Sequence, residues 1–189
     1  SADETINILL QYEQTHPGLF RMFRNEQNLG VVNNFEQALQ SCTGDIIFLC
    51  DQDDEWENNK VERVLHFFME CNDVYGVFTD ATLIDEENIR LGKTIWEYLQ
   101  FREALLIDPG LDIFRFLLLY RNVVTGASLS VKREAFDIIM PFPSDGSMLH
   151  DQWIGLRLGV VKKLRFLDEC LTRYRVHPGQ ETKLIWMQS

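Results

Sequence analysis

The sequence has no apolar run approaching the ~18 residues that a membrane-spanning helix needs; Phe116 to Tyr120 is only long enough for part of a buried helix. Nor does it open on a leader pattern of basic, apolar and small residues, so a cytoplasmic location is the expectation, with peripheral attachment at the inner face of the cell membrane left open. Basic residues are scarce: 18 Lys and Arg stand against 29 Asp and Glu, a formal net charge of −11. That balance argues against a nucleic-acid partner, whose phosphates would need cations to neutralise them. Cysteine is sparse too. Cys42, Cys50, Cys71 and Cys170 form no CxxC pair and do not cluster with the four histidines, which argues against a zinc site or a disulfide framework. They are expected to be free, mostly buried thiols of a reducing compartment. Internal repeats and low-complexity segments are absent.

What is present is globular. At 189 residues, with 46% hydrophobic and 12% aromatic side chains, the chain can form one domain with a sizeable core. Residues 3–15 carry an amphipathic stripe (Ile6, Leu9, Leu10), with Ser1 or Asp3 able to cap it and His16-Pro17-Gly18 to end it. Residues 19–24 have the aromatic content of a strand. Val32, Phe35, Ala38 and Leu39 recur at helical spacing over 31–41, and Val61, Val64, Leu65 and Phe68 do so over 58–71. Strands are expected at 45–50 and 74–78, the latter ending at Thr79-Asp80. Residues 82–96 read as a hairpin or an irregular excursion. A buried helix is expected over 111–120, a strand broken by Thr125-Gly126 over 123–131, short helices at 132–139 and 150–158, and strands at 163–167 and 171–176. Such alternation predicts an α/β fold with a mostly parallel sheet flanked by helices.

The most informative stretch is Asp45 to Trp56, DIIFLCDQDDEW, in which a buried strand runs into Asp51, Asp53 and Asp54. Ligands of open α/β sheets gather at such strand ends. Three carboxylates in one turn repel one another unless solvent, basic side chains or a cation balance them. A hard divalent ion shared with nucleotide phosphates is one solution; a solvated acidic turn at the start of the following helix is the other.

Taken in order, NLGVVNNFEQAL, LCDQDDEW, FTDATLID, TGASLSVKREAF, LHDQW and YRVHPGQ resemble the family-2 nucleotide-sugar glycosyltransferases of the GT-A fold, in particular rhamnosyltransferase-like polysaccharide enzymes. Ser1, Asp3 and Thr5 match the tail of the family's DDGSxDxT segment. On that match the chain starts after the family's first strand and the acid that contacts the nucleobase, and the expected consequence is an exposed face on which copies associate as homo-oligomers. The resemblance implies a single Rossmann-like domain over residues 1–189, with a nucleotide-sugar and metal half at 1–80 and an acceptor half, partly mixed β and loop, at 81–189.

The resemblance also implies roles. Asp51, Asp53, Asp80 and Arg175 would contact the donor, and Asp53 and His177 would hold Mg2+ or Mn2+. Gly126, Ala127 and Trp153 would line the acceptor site, and Asp151 would be the base of an inverting transfer. Lys60 and Trp56 read as scaffold, and Trp96 as a buried aromatic more readily than a sugar platform. Donor and acceptor would be a nucleotide sugar, with rhamnose as candidate, and a surface polysaccharide or lipid-linked glycan. A competing reading is a catalytically incompetent binding or assembly module of the same fold. A third, a nucleotide-sugar pyrophosphorylase, would need a glycine-rich basic loop near its start, and none is seen.

Overall fold

The computed structural model describes residues 4–108, 111–143 and 145–178. Contacts divide the chain into two units, residues 1–30 and 31–189.

In the first unit, helix α1 (Thr5–Thr15) buries none of its residues, and Ile8, Leu10 and Tyr12 are exposed. The predicted caps Ser1 and Asp3 lie outside the described residues. The expected strand at 19–24 does not form: the segment is irregular. Aromatic content alone cannot make a strand without a ladder to join, and here Phe20 packs edge-on against Tyr12 while the Arg21 guanidinium covers the Phe23 ring.

The second unit is built on β3 (Gly76–Ile84), which follows α2 (Gly30–Ser41), β1 (Ile46–Phe48), β2 (Glu55–Trp56) and α3 (Lys60–Glu70). After it come β4 (Arg90–Thr94), α4 (Ile95–Tyr98), α5 (Phe101–Ile107), α6 (Ile113–Leu119), β5 (Leu129–Lys132), α7 (Phe136–Ile139), α8 (His150–Val160) and β6 (Leu164–Arg175). The sheet order is β1-β5-β3-β6-β2, with β4 also on β3. The α/β class holds, but the sheet is mixed rather than mostly parallel: β3 and β6 are parallel and the other pairs antiparallel. One antiparallel pair follows from a short connection. The β3–β4 turn is tight, with Asp85 Oδ1 accepting the Glu87 and Ile89 amides, so residues 82–96 form a hairpin. Thr94 and Glu97 then close a capping box on α4.

The two strands expected at 163–167 and 171–176 are one strand, β6. Its register against β3 slips around Asp168 and Glu169, which bulge outward to meet Arg102 and Arg63. β3 is longer than expected, so Asp80 lies mid-strand rather than at a strand end. The expected strand at 123–131 begins only at Leu129, after a 3-10 turn at Gly126–Ser128.

Alternation along β3 serves two cores. Val77 joins Val64, Phe68, Val74 and Leu171 beneath α3. Phe78 faces the larger core with Trp96, Phe101 and Phe116, ring centres 5.0 to 6.1 Å apart in edge-on and tilted pairs. Trp96 is therefore core. The cysteines depart from expectation: Cys50 and Cys170 are exposed, Cys42 and Cys71 half-buried. Because Phe78 is fully enclosed, Phe78→Ala is expected to cost about 3–5 kcal/mol, read as a lower urea midpoint with unchanged slope.

Candidate active site

The acidic loop between β1 and β2 is tied to the end of β6. Arg175 donates its backbone N–H to Asp54 Oδ1 (2.8 Å), its Nε to the Asp53 carbonyl (2.7 Å) and its Nη1 to the Asp85 carbonyl (2.8 Å). The guanidinium thus fastens two loops to the strand that carries it. Two residues on, His177 Nε2 meets Asp53 Oδ2 at 3.0 Å. Asp54 Oδ2 is buried with no hydrogen-bond partner among the described residues, and burial pushes this carboxyl up to about 7; the Arg175 amide opposes the rise, and Asp53 and Asp51 add to it. Burial likewise raises Asp51, helped by Asp53 and opposed by Lys60.

The second half of the site surrounds the turn at Gly126–Ser128. Asp151, in the first turn of α8, accepts the Gly126 amide on Oδ2 (3.1 Å), and on Oδ1 the Gln152 amide (2.6 Å) and Asn122 Nδ2 (3.2 Å). Burial raises Asp151 to about 6 against those hydrogen bonds, with Asp51 contributing repulsion. Beside it, His150 stacks flat on Phe35, centroids 3.7 Å apart, and burial holds the imidazole down at about 4, hence neutral. A Cβ on residue 126 would lie 2.8 Å from His150 Nε2 and 3.7 Å from Asp51 Oδ2. Glycine is needed there because the imidazole packs directly on its backbone, and the Asp51 carboxylate lies beside the same turn.

The structure thus brings together Asp51, Asp53, Arg175 and His177 on one side and Gly126, Ala127 and Asp151 on the other. Asp80 is not among them: it is fully buried, with Oδ1 accepting the Ala81 and Trp96 amides and Oδ2 accepting Arg102 Nη1. Trp153 is turned to donate its indole N–H to the Ile139 carbonyl (2.7 Å) under Arg157. The Ala127 carbonyl accepts Lys60 Nζ (2.6 Å), which also donates to Thr172 Oγ1 (2.9 Å). The sequence reading of Lys60 as scaffold agrees with its burial, and Asn122 and Tyr174 were not flagged. The Tyr174 phenol is raised by burial and by the field of Asp54, Asp51, Asp151 and Asp53. Only the alternation of Thr172 and Tyr174 along one strand face could have signalled it.

Asp53 and His177 converge, yet among the described residues no group of three or more His, Cys, Asp or Glu could cage a cation. A hard divalent ion bound jointly by one or two protein groups and by substrate phosphates needs no such cage, so the pair fits that mode and not an all-protein site.

The sequence model of glycosyl transferase family 2 matches residues 1–136. The chain belongs to this family. Among its relatives in the family, the putative teichuronic acid biosynthesis glycosyltransferase TuaG of Bacillus subtilis is 27% identical over 181 residues, covering 93% of this chain and 64% of TuaG. The chain spans about half the length of other curated relatives it matches, such as the uncharacterised Rv1520 of Mycobacterium tuberculosis (26% identity, 94% of this chain, 48% of the relative). Its GT-A fold matches S. aureus TarS 1–349, solved with UDP-GlcNAc, with a TM-score of 0.66 at 16% identity over 95% of this chain and 48% of TarS.

Two outcomes follow from this geometry. Gly126→Ala must displace His150 from Phe35 and is expected to cost about 1–3 kcal/mol, measured by chemical denaturation. Burial holds the Asp151 carboxyl at about 6 in the folded state, above the ordinary carboxylate range. The folded state therefore binds the extra proton, and the contribution present below pH 4 is lost as pH rises through about 6. Asp151→Asn should flatten the fall in stability across that window, seen in urea midpoints at pH 4.5 and 7.5.

Proposed function

We propose that this domain is an inverting glycosyltransferase that moves a sugar from a nucleotide-sugar donor to a growing surface polysaccharide or lipid-linked glycan. The observation that carries the proposal is the pairing of two acidic centres across one turn: the Asp53–His177 corner and Asp151, with Asp51 beside Gly126 between them. One centre suits a diphosphate leaving group and the other an attacking hydroxyl.

Asp151 is the base. At a pKa of about 6 it is largely ionised at neutral pH, yet basic enough to take a proton from the acceptor hydroxyl as that oxygen attacks the anomeric carbon. The amides of Gly126 and Gln152 and the Asn122 side chain fix its orientation. Asp53 and His177 would hold Mg2+ or Mn2+, which when bound neutralises charge on the departing diphosphate. Arg175 acts on the donor indirectly, by fixing the acidic loop, and Trp153 forms wall rather than a sugar platform. Support for a nucleotide sugar with a divalent metal comes from a structural relative of the same fold, the mannosyltransferase PcManGT of Pyrobaculum calidifontis. It was solved with GDP-Man and Mn2+, at TM-score 0.57 and 17% identity over 90% of this chain and 43% of that one. Support for a polysaccharide product comes from TuaG, named for teichuronic acid biosynthesis. Rhamnose as the transferred sugar rests on the sequence resemblance. Among the described residues no helix is long and apolar enough to cross a membrane.

Donor turnover by wild type, Asp151→Asn and Asp53→Ala, screened over UDP-, GDP- and dTDP-sugars with Mn2+, tests the assignment. Asp151→Asn is expected to lose about 10²–10⁴-fold in turnover with nucleoside-diphosphate binding intact, whereas Asp53→Ala loses Mn2+-dependent binding. Retained turnover in Asp151→Asn sinks the base assignment. Wild type that binds nucleotide but turns over no donor favours the binding-module reading.

A further inference from the structure

Lys60 is fully buried, yet neither of its hydrogen bonds goes to a carboxylate: Nζ donates to the Ala127 carbonyl and Thr172 Oγ1 and sits 4.3 Å from the centre of the Trp56 ring. Cys50, Asp54 and Asp51 face it through space, and burial still lowers the ammonium to about 8. An apolar side chain of the same volume would fill the space without the cost of dehydrating a charge, and such replacements are often neutral or stabilising. Packing alone therefore does not account for the ammonium. Its acceptors suggest what does.

Ala127 belongs to the turn whose preceding residue, Gly126, donates its amide to Asp151. Internally the turn is closed by the Ser128 amide on the Thr125 carbonyl (3.0 Å) and by Thr125 Oγ1 on Ser128 Oγ (2.9 Å). Its attachments are to three elements: Lys60 from α3, Asp151 and the neutral His150 from α8, and Thr172 from β6. We propose that Lys60 is a positioning residue for Asp151: by gripping the Ala127 carbonyl, its ammonium holds the Gly126 amide aimed at the carboxylate. The acidic loop and the base are then coupled through one short turn, because Lys60 also feels Asp51 and Asp54. The functional meaning rests on Asp151 being the base; the coupling does not.

Carboxyl carbons of ¹³C-Asp-labelled protein, titrated from pH 4 to 9, test it without substrate, so a failed base assignment leaves the test standing. Wild-type Asp151 should titrate at about 6. Lys60→Met should move that midpoint up to about 7, as the amide that favours the ionised form drifts away, while the melting temperature holds or rises. Lys60→Gln keeps an N–H donor without the charge and should shift the midpoint by less. An unchanged midpoint in folded Lys60→Met, or equal shifts in Met and Gln variants, overturns the proposal. Should Lys60→Met not fold, the ¹⁵N shift of Gly126 in wild type decides: steps near pH 6 and again near pH 8, where Lys60 deprotonates, support the coupling. A trace lacking the second step overturns it.

Discussion

The parallel pairing of β3 with β6 is the constraint on which the rest depends. It runs from Gly76 opposite Leu164 to Ile84 opposite Arg175, and nearly every β3 residue along it is buried. Because both faces of β3 are covered, its side chains divide between two cores. β6 then delivers Thr172 to Lys60, Arg175 to the acidic loop and His177 to Asp53. Site chemistry is thus borrowed from a strand whose first task is to fill the middle of the sheet.

Charge in this site is regulated by enclosure more than by pairing. Asp51, Asp54 and Asp151 are all raised chiefly by burial, and mutual repulsion adds to it. Hydrogen bonds from backbone amides and from the Asn122 side chain, and the ammonium of Lys60, work the other way. In the proposed reaction a cation arriving with the donor diphosphate would relieve the repulsion among Asp51, Asp54 and Asp151.

Much of this was legible in the sequence where a local pattern carried the physics. The helical spacing of Val32, Phe35, Ala38 and Leu39 marked α2, and the apolar run into DQDD marked a strand that ends in an acidic loop. LHDQW placed an acid in the first turn of a helix. What could not be read was pairing. The segment at 19–24 had strand-like content and no partner; Asp80 seemed to end a strand because nothing local said that β6 would carry the ladder on to Ile84. Lys60 looked like scaffold because its partners, Ala127 and Thr172, lie 67 and 112 positions away. The acids were visible one by one, while the amides and the buried ammonium that hold them are consequences of tertiary structure.

The outward bulge at Asp168 and Glu169 has a geometric consequence. Gly76 faces the residue 88 positions on, whereas Ile84 faces the one 91 positions on, so β6 takes up three extra residues on the way. At about 3.3 Å per residue, an unbroken ladder would overshoot by roughly 10 Å and carry His177 well past Asp53. Two of the three, Asp168 and Glu169, are held on the surface by Arg102 and Arg63, and the third, Leu171, is buried beneath α3. The spacing of the Asp53–His177 corner is therefore set by chain length consumed elsewhere along the strand, and a one-residue insertion or deletion there would retune the corner without touching any residue in it.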